Sequence, residues 1–167
     1  QFTKYGELRV GLMAGGGDAE LQIGSPILAQ YSIRRDIGAL RARLNLDQLD
    51  NTAFPRNGYA LAAQVVGSST KLGATDTYNR WTLNFVGAKS FDEHTLQIGL
   101  VGGGAIGNEP LPLYDYMSFG GFMRMTGYRS DQLRNESMYY GRLLYMNRLL
   151  RLPLLEGVYG GAMIEAA

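Results

Sequence analysis

Two features of the sequence contain residue types that occur in binding or catalytic sites: a glycine-rich run and a single histidine. Residues 102–107 match the pattern G-x-G-x-x-G after a predicted strand, the fingerprint of a dinucleotide site. Pro110 and Pro112 follow, so the chain cannot open the helix whose N-terminus would hold the pyrophosphate. We therefore interpret the run as a glycine-rich strand end. His94 is the only histidine, so a histidine pair for a metal is lacking, and we interpret it as a solvated turn residue.

The sequence contains no catalytic constellation. It has neither the G-x-S-x-G pattern of a serine nucleophile nor any cysteine for a metal site. The net charge is +1 and no basic run is present, which argues against a nucleic-acid partner. We therefore predict a chain that is not itself an enzyme, with no catalytic residues, no metal and no cofactor.

Strands are the elements that must position any site, because alternation with a period of two recurs in segments of about ten residues. In residues 36–47, for example, Leu40 and Leu44 alternate with Arg41 and Arg43. We predict an all-β, antiparallel fold with eight candidate strands, which are 5–14, 18–25, 36–47, 59–67, 78–90, 94–103, 137–149 and 157–165.

The predicted connections alternate between short and long. The short connections are Gly15–Gly17, Phe91–Glu93 and Leu152–Leu155, and 48–58 is a medium turn at the same end of the strands. The other connections, 26–36, 68–75 and 104–136, are mostly longer. Short turns at one end and long loops at the other are typical of up-and-down transmembrane β-barrels.

Alternation alone leaves open which face of the sheet meets which environment, because a soluble barrel would turn its apolar face inward around a ligand. Arginines on the charged face suit a hydrated lumen, and aromatic residues near strand ends resemble interfacial girdles, so both favour lipid outside. The arginines are Arg41, Arg43, Arg80, Arg142 and Arg148. The aromatic residues are Tyr5, Tyr59, Tyr78, Trp81, Tyr139 and Tyr159.

The sequence contains no run of about 18 apolar residues for a membrane-spanning helix and no signal peptide. It opens on Gln1 and stops in mid-pattern at Ala167. We therefore expect the chain to be a fragment of a longer protein.

The order of several motifs resembles the bacterial surface antigen barrel, the superfamily of outer-membrane assembly factors and two-partner-secretion transporters. In chain order these are Asp50-Asn51, residues 54–59 (Phe-Pro-Arg-Asn-Gly-Tyr), three strands, residues 112–115 (Pro-Leu-Tyr-Asp), Phe119-Gly120-Gly121 and residues 125–128 (Met-Thr-Gly-Tyr). The resemblance implies a bacterial outer-membrane barrel of about sixteen strands, of which residues 1–167 form one partial domain with about eight. Its partners would be outer-membrane lipid and a translocated or fused polypeptide.

The resemblance also implies that loop 104–136 is extracellular and folds back into the lumen. Its tip in the superfamily usually reads Val-Arg-Gly-Phe or Leu-Arg-Gly-Tyr, and the arginine contacts an acidic residue on a later strand. Thr126 stands where that arginine is expected, and Glu165 falls where the acidic partner would be, so we expect Arg124 or Arg129 to pair with Glu165. The lumen-loop motif is Gly120, Gly121, Arg124, Met125, Thr126, Gly127, Tyr128 and Arg129, and the periplasmic turn motif is Phe54, Pro55 and Gly58.

A hydroxyl at position 126 is similar to the Leu-Ser-Gly-Tyr version found in the barrels of patatin-like phospholipase autotransporters. The resemblance therefore implies a translocator and membrane anchor for a fused patatin-like lipase, whose activity would lie in an N-terminal domain outside this chain. The alternative within the superfamily is part of an assembly factor or two-partner-secretion transporter. A lower-ranked alternative is a soluble eight-stranded ligand carrier closed by these strands alone.

Overall fold

A computed structural model of the protein describes residues 6–19, 33–152 and 155–167. The strands are β1 (Gly6–Ala19), β2 (Ile33–Asp47), β3 (Gly58–Ser68), β4 (Tyr78–Phe91), β5 (His94–Ala105), β6 (Met117–Phe119), β7 (Leu133–Asn135), β8 (Met138–Leu152) and β9 (Leu155–Ala166). Two short 3-10 helices, Thr70–Leu72 and Leu113–Asp115, lie in the connections. Across the described ranges, no helix is both long and apolar enough to cross a membrane.

Seven of the strands form one antiparallel sheet in the order β1-β2-β3-β4-β5-β8-β9. The remaining two, β6 and β7, pair with each other inside the long connection between β5 and β8. The predicted all-β antiparallel fold class is confirmed. The sheet is open in the described part of the chain, with β1 and β9 as its edge strands.

One strand prediction at the start of the chain is wrong. Gly15–Gly17 does not form a turn between two strands, because it continues β1 and pairs in register with Arg35–Ile37 of β2. Glycine punctuates turns but also adopts extended backbone, and the pairing with β2 keeps this run in the sheet. Most of the predicted strand 18–25 lies outside the described residues.

The two faces of the sheet differ in polarity, because successive side chains of a strand point to opposite faces. We call the face that carries Arg41, Gln64 and Arg142 the polar face and the opposite one the apolar face. The apolar face exposes large side chains that include Leu8, Val10, Leu12, Leu40, Val65, Leu96, Ile98, Leu100, Tyr139, Leu143 and Ile164. A contiguous apolar surface of this extent requires a cover of lipid or protein.

The buried core of the described chain lies on the polar face. Thr95, Gln97 and Tyr140 all point there and are at most 5% exposed. Two connections cover these residues, the one between β2 and β3 and the one between β5 and β8. The loops therefore pack against the polar side of the sheet and leave the apolar side bare.

The two ends of the sheet carry connections of different length. Residues 48–57 and the turn at Asp92 and Glu93 lie at one end, which we call the short-turn end. Residues 69–77 and 106–137 lie at the other, which we call the long-loop end. The β6–β7 pair gives the longest of these connections a hydrogen-bonded stem.

Candidate functional site

An ion pair with β4 and a hydrogen bond between the two arms fix the base of the connection between β5 and β8. Arg80 of β4 lies with Nε 2.8 Å from Asp115 Oδ2, and both side chains are about one-fifth exposed (22% and 18%). The N–H of buried Leu111 donates to Glu136 Oε1 at 2.8 Å, which joins the outgoing arm to the returning arm. The long loop is therefore a packed structure with fixed ends.

The stem formed by β6 and β7 carries the glycine-rich part of the loop onto β8. Phe119 ends β6 and is 2% exposed, and its ring packs against Tyr140 of β8 with 5.2 Å between centroids. The guanidinium of Arg124 lies 4.7 Å from the centroid of the same Phe119 ring, within the range of a cation–π contact. Phe119 is thus the hydrophobic anchor of the loop.

Residues 121–128 form a closed lobe of two turns, which we call the tip lobe. The N–H of Gly121 donates to the Tyr128 carbonyl at 3.1 Å and closes the lobe, while Arg124 N–H donates to Gly121 and Tyr128 N–H to Met125 inside it. Gly120 precedes the lobe with φ +131°, and a Cβ there would lie 2.0 Å from the carbonyl oxygen of Arg129. Only glycine fits this entry, because both the backbone angle and the space forbid a side chain.

The tip lobe holds the carboxylate of Glu165, in β9, through its backbone. The N–H of Met125 donates to Glu165 Oε1 at 3.1 Å, and the N–H of Thr126 donates to Oε2 at 2.9 Å. The hydroxyl of Tyr140 donates to Oε1 at 2.5 Å. One carboxylate therefore joins the loop tip, β8 and β9.

The backbone of Met125 explains why two successive N–H groups point at one carboxylate. Its φ is +69°, in the left-handed region, where an L-residue is uncommon. Successive N–H groups around such a residue form a concave site that binds anions. The tip lobe therefore provides an anion-binding nest without any cationic side chain.

Two side chains of β8 hold the preceding turn of the tip lobe. The carbonyl oxygen of Met123 lies 3.0 Å from the Tyr140 hydroxyl and accepts from Arg142 Nη1 at 3.3 Å. The Arg142 side chain crosses Gly99 of β5, where an added Cβ would lie 2.8 Å from Nε. The absence of a side chain at Gly99 thus lets Arg142 reach the loop.

The expected ion pair between Glu165 and Arg124 or Arg129 is not formed among the described residues. Arg124 stacks on Phe119, and Arg129 bonds through its backbone N–H to Gln132 at 2.9 Å. The physical reason is that two N–H groups and one hydroxyl already satisfy the carboxylate. Our hypothesis of a replacement arginine was wrong about the donor.

The other residues of the lumen-loop motif have lesser contacts. The Thr126 hydroxyl accepts from Met123 N–H at 3.3 Å, so its side chain supports the lobe while its backbone binds Glu165. Gly127 faces open space, and Tyr128 remains 43% exposed. The binding contacts therefore concentrate at positions 123–126.

A second structured connection, residues 48–57, covers the polar face at the short-turn end. The buried Pro55 presents its carbonyl oxygen to Gln97 Nε2 at 2.7 Å, and Phe54 is 58% exposed. Gly58 has φ +102°, and a Cβ there would lie 2.0 Å from the carbonyl oxygen of Gln48. In this motif Pro55 covers Gln97, Gly58 is required by the backbone, and Phe54 has an exposed ring.

An acidic residue organises the same connection. Asp50 Oδ1 accepts the N–H of Arg56 at 2.9 Å, and the Asp50 N–H donates to the Asn57 carbonyl at 3.1 Å. Burial raises the pKa of Asp50, but hydrogen bonds from backbone N–H groups, Asn57 and Arg56 first, outweigh it and lower the pKa overall. The carboxylate is therefore a structural acceptor of the turn.

Sequence reasoning assigned no role to Tyr140 or Gln97, although each binds a covering loop. The available signal was position, because both lie on the polar side of the strand alternation among charged or small neighbours. His94, predicted as a solvated turn residue, is exposed, but it begins β5 directly after the turn, and its Nδ1 lies 2.6 Å from the Tyr145 hydroxyl. In residues 6–19, 33–152 and 155–167 no group of three His, Cys, Asp or Glu side chains is arranged to hold a metal.

Comparison with protein-family models matches residues 13–154 to the Omp85 superfamily domain. The matched segment includes both covering connections and most of the seven-stranded sheet. A search of curated proteins finds no match.

Proposed function

The chain belongs to the Omp85 superfamily, and on that premise we propose that it is the translocator and membrane anchor of a fused patatin-like lipase domain. Members of the superfamily are outer-membrane translocators and assembly factors and not enzymes. The role common to the superfamily is therefore that of a β-barrel of the bacterial outer membrane that handles polypeptides. To this role we add, as our proposal, a fused lipase domain.

The observation that carries this proposal is the replacement of the expected tip arginine by Thr126. The Thr126 backbone N–H binds Glu165 at 2.9 Å, so the Glu165 carboxylate is bound without a cationic side chain. A small hydroxyl residue at this position is the feature that the chain shares with the patatin-type barrels. It supports that subfamily over the versions of the tip that carry arginine.

We further propose how the domain sits in the membrane. The apolar face contacts lipid, and the polar face lines a lumen whose water hydrates the arginines. Pairing between neighbouring strands satisfies the backbone N–H and C=O groups within the membrane. Residues 1–167 form one partial barrel domain that further strands close. The long-loop end is then extracellular, loop 104–136 folds into the lumen, and the 48–57 connection is periplasmic.

The full-length gene product tests the fused-lipase proposal. We expect an upstream domain that contains G-x-S-x-G, and cells expressing the full protein should hydrolyse an added phospholipid that does not cross the outer membrane. Substitution of the nucleophilic serine should abolish hydrolysis and leave the barrel folded, as judged by heat-modifiable mobility on gels. An upstream region made only of tandem periplasmic binding repeats would instead identify an assembly factor or two-partner-secretion transporter.

Behaviour without detergent tests the alternative that the chain is a soluble ligand carrier. A carrier would turn its large apolar side chains toward a ligand, whereas here they cover the exposed face of the sheet. We expect the protein to aggregate when detergent is withdrawn. A chain that stayed monodisperse without detergent would contradict every membrane role discussed above.

A further inference from the structure

Three arginines lie together on the polar face of β1 and β2. Arg9 and Arg43 are directly opposite in the antiparallel register, and Arg41 is the next residue of β2 on that face. All three are exposed. Like charges directly opposite each other destabilise a strand pair, so a bound anion would stabilise this cluster.

The described residues supply little negative charge to this cluster. Arg9 Nε lies 2.6 Å from Glu7 Oε1, and Arg43 Nε donates to the neutral amide oxygen of Asn45 at 3.0 Å. Arg41 forms no ion pair with any residue in the described ranges. Among the described residues, one carboxylate, bound by Arg9 alone, thus lies beside three guanidinium groups.

The space beside the arginines is open. Gly11 is the register partner of Arg41, and a Cβ built at Gly11 would meet no heavy atom of the described chain within 4 Å. The same holds at Gly15, which lies on the same face beyond the half-buried Met13. We call the open surface over Gly11, flanked by Arg9, Arg41 and Arg43, the basic trough.

We propose that the basic trough binds an extended, acidic segment of the polypeptide that the barrel translocates, an inference that rests on the translocator role. Arg41 and Arg43 are two residues apart on one strand, or about 7 Å, which equals the spacing of alternate residues in an extended peptide. Guanidinium groups bind carboxylates in a bidentate manner, and a glycine floor lets another backbone come close. Carboxylates on one edge of the segment thus neutralise the cluster.

Thiol protection in the full-length protein tests the proposal. The 167-residue sequence contains no cysteine, so Gly11→Cys introduces a single thiol on the trough floor once any cysteine elsewhere is removed. A small charged reagent should label this thiol in detergent-solubilised protein. A short glutamate-rich peptide should slow the labelling, and a matched glutamine peptide should not.

Paired variants identify the binding groups. Arg41→Gln with Arg43→Gln should weaken the peptide's protection about tenfold or more, as expected when charge-assisted bonds are lost. Lys71→Gln with Arg134→Gln removes the same charge from exposed positions at the long-loop end and should leave protection intact.

The proposal is overturned by any of four results. These are an introduced thiol that does not label, no protection by the acidic peptide, equal loss of protection in both paired variants, or equal protection by inorganic phosphate, which would identify a small-anion site. Protection without an upstream lipase domain would support the trough and contradict only the fused-lipase proposal. Lipase display without protection would do the reverse.

Discussion

Replacing Glu165 by glutamine should release the tip lobe from the barrel wall. The carboxylate accepts from Met125 N–H, Thr126 N–H and the Tyr140 hydroxyl at 3.1, 2.9 and 2.5 Å. Glutamine has nearly the same shape but offers one oxygen in place of two. If that oxygen keeps the bonds at Oε1, the new NH2 group faces the Thr126 N–H, donor against donor.

The cost follows from these contacts. A hydrogen bond to a charged group contributes about 1.5–3 kcal/mol, against about 1 kcal/mol for a neutral one. Glu165→Gln loses one such bond outright and removes the charge from two others, and Glu165 is partly exposed, which reduces the effect. We expect the free energy of opening the tip lobe to fall by about 2 kcal/mol, or about 30-fold in the opening equilibrium.

Hydrogen–deuterium exchange of the full-length protein in detergent measures this directly. The amides of Met125 and Thr126 should exchange about 30-fold faster in the variant, because exchange reports local opening. Amides at the centre of β3 and β4 should keep their rates. Global unfolding would accelerate both sets together and is therefore distinguished from release of the lobe.

Two further variants separate the backbone lock from a side-chain lock. Thr126→Ala keeps the N–H that binds Glu165, and Arg124→Gln changes a side chain that stacks on Phe119. Both should accelerate exchange at Met125 much less than Glu165→Gln does, because each removes a side-chain contact that supports the lobe but leaves both backbone N–H groups on Glu165. Acceleration by either variant as large as that of Glu165→Gln, or none in Glu165→Gln itself, would refute the backbone lock.

Three other predictions concern the covering connections. Gly58→Ala should lower the heat-modifiable, folded fraction because its Cβ would meet a carbonyl oxygen at 2.0 Å, whereas Gly73→Ala, at φ +88° with open space around it, should do so less. The folded structure lowers the pKa of Asp50, so its carboxylate stabilises the 48–57 turn at pH values above the unfolded pKa, and this stabilisation is lost as pH falls through the folded pKa. After correction for the intrinsic exchange rate, amide exchange in the turn should be constant from about pH 5 to 8 and become faster below about pH 4. In Asp50→Asn this acceleration at low pH should be absent. Arg80→Gln should remove the cation that lies 2.8 Å from Asp115. The expected cost of about 1 kcal/mol corresponds to amide exchange about fivefold faster in residues 113–117. Adding Asp115→Asn should partly restore the slower exchange, and unchanged exchange in Arg80→Gln would show that the pair contributes nothing to the stability of the loop.

The alternation of residue types was sufficient to predict the sheet and its two faces. In β2 the alternation of Leu40 and Leu44 with Arg41 and Arg43 shows which face of the sheet each residue lies on. The register of β2 with β1 and β3 then gives the face of each paired residue in those strands. Burial then follows the pattern, since the polar side is the one that loops cover. The prediction for the glycine run at 15–17 was wrong because glycine is typical of turns but can also adopt extended backbone, and here the pairing with β2 favours the strand.

The contact between the tip lobe and Glu165 could be predicted only in part, because the groups that bind the carboxylate belong to the backbone and are not marked by any residue type. Glu165 was recognisable as a carboxylate near the end of a strand, and Thr126 as the residue that stands where an arginine is expected. The donors, however, are backbone N–H groups, which every residue except proline carries, and their convergence depends on the φ of +69° at Met125. A sequence reading that seeks charge complementarity therefore looks for a second arginine and overlooks the nest.

A backbone lock also differs from an arginine lock in what can change it. Substitution of a side chain can delete a guanidinium in one step, whereas the Met125 and Thr126 N–H groups survive most substitutions and are lost only when the lobe's backbone path changes. The features that fix that path are the closed turns of residues 121–128, the side-chain-free entry at Gly120 and the Phe119 anchor. The glycine and aromatic residues of the loop therefore hold the backbone that binds Glu165, the contact for which we had expected an arginine, and Tyr140 donates to the same carboxylate from β8.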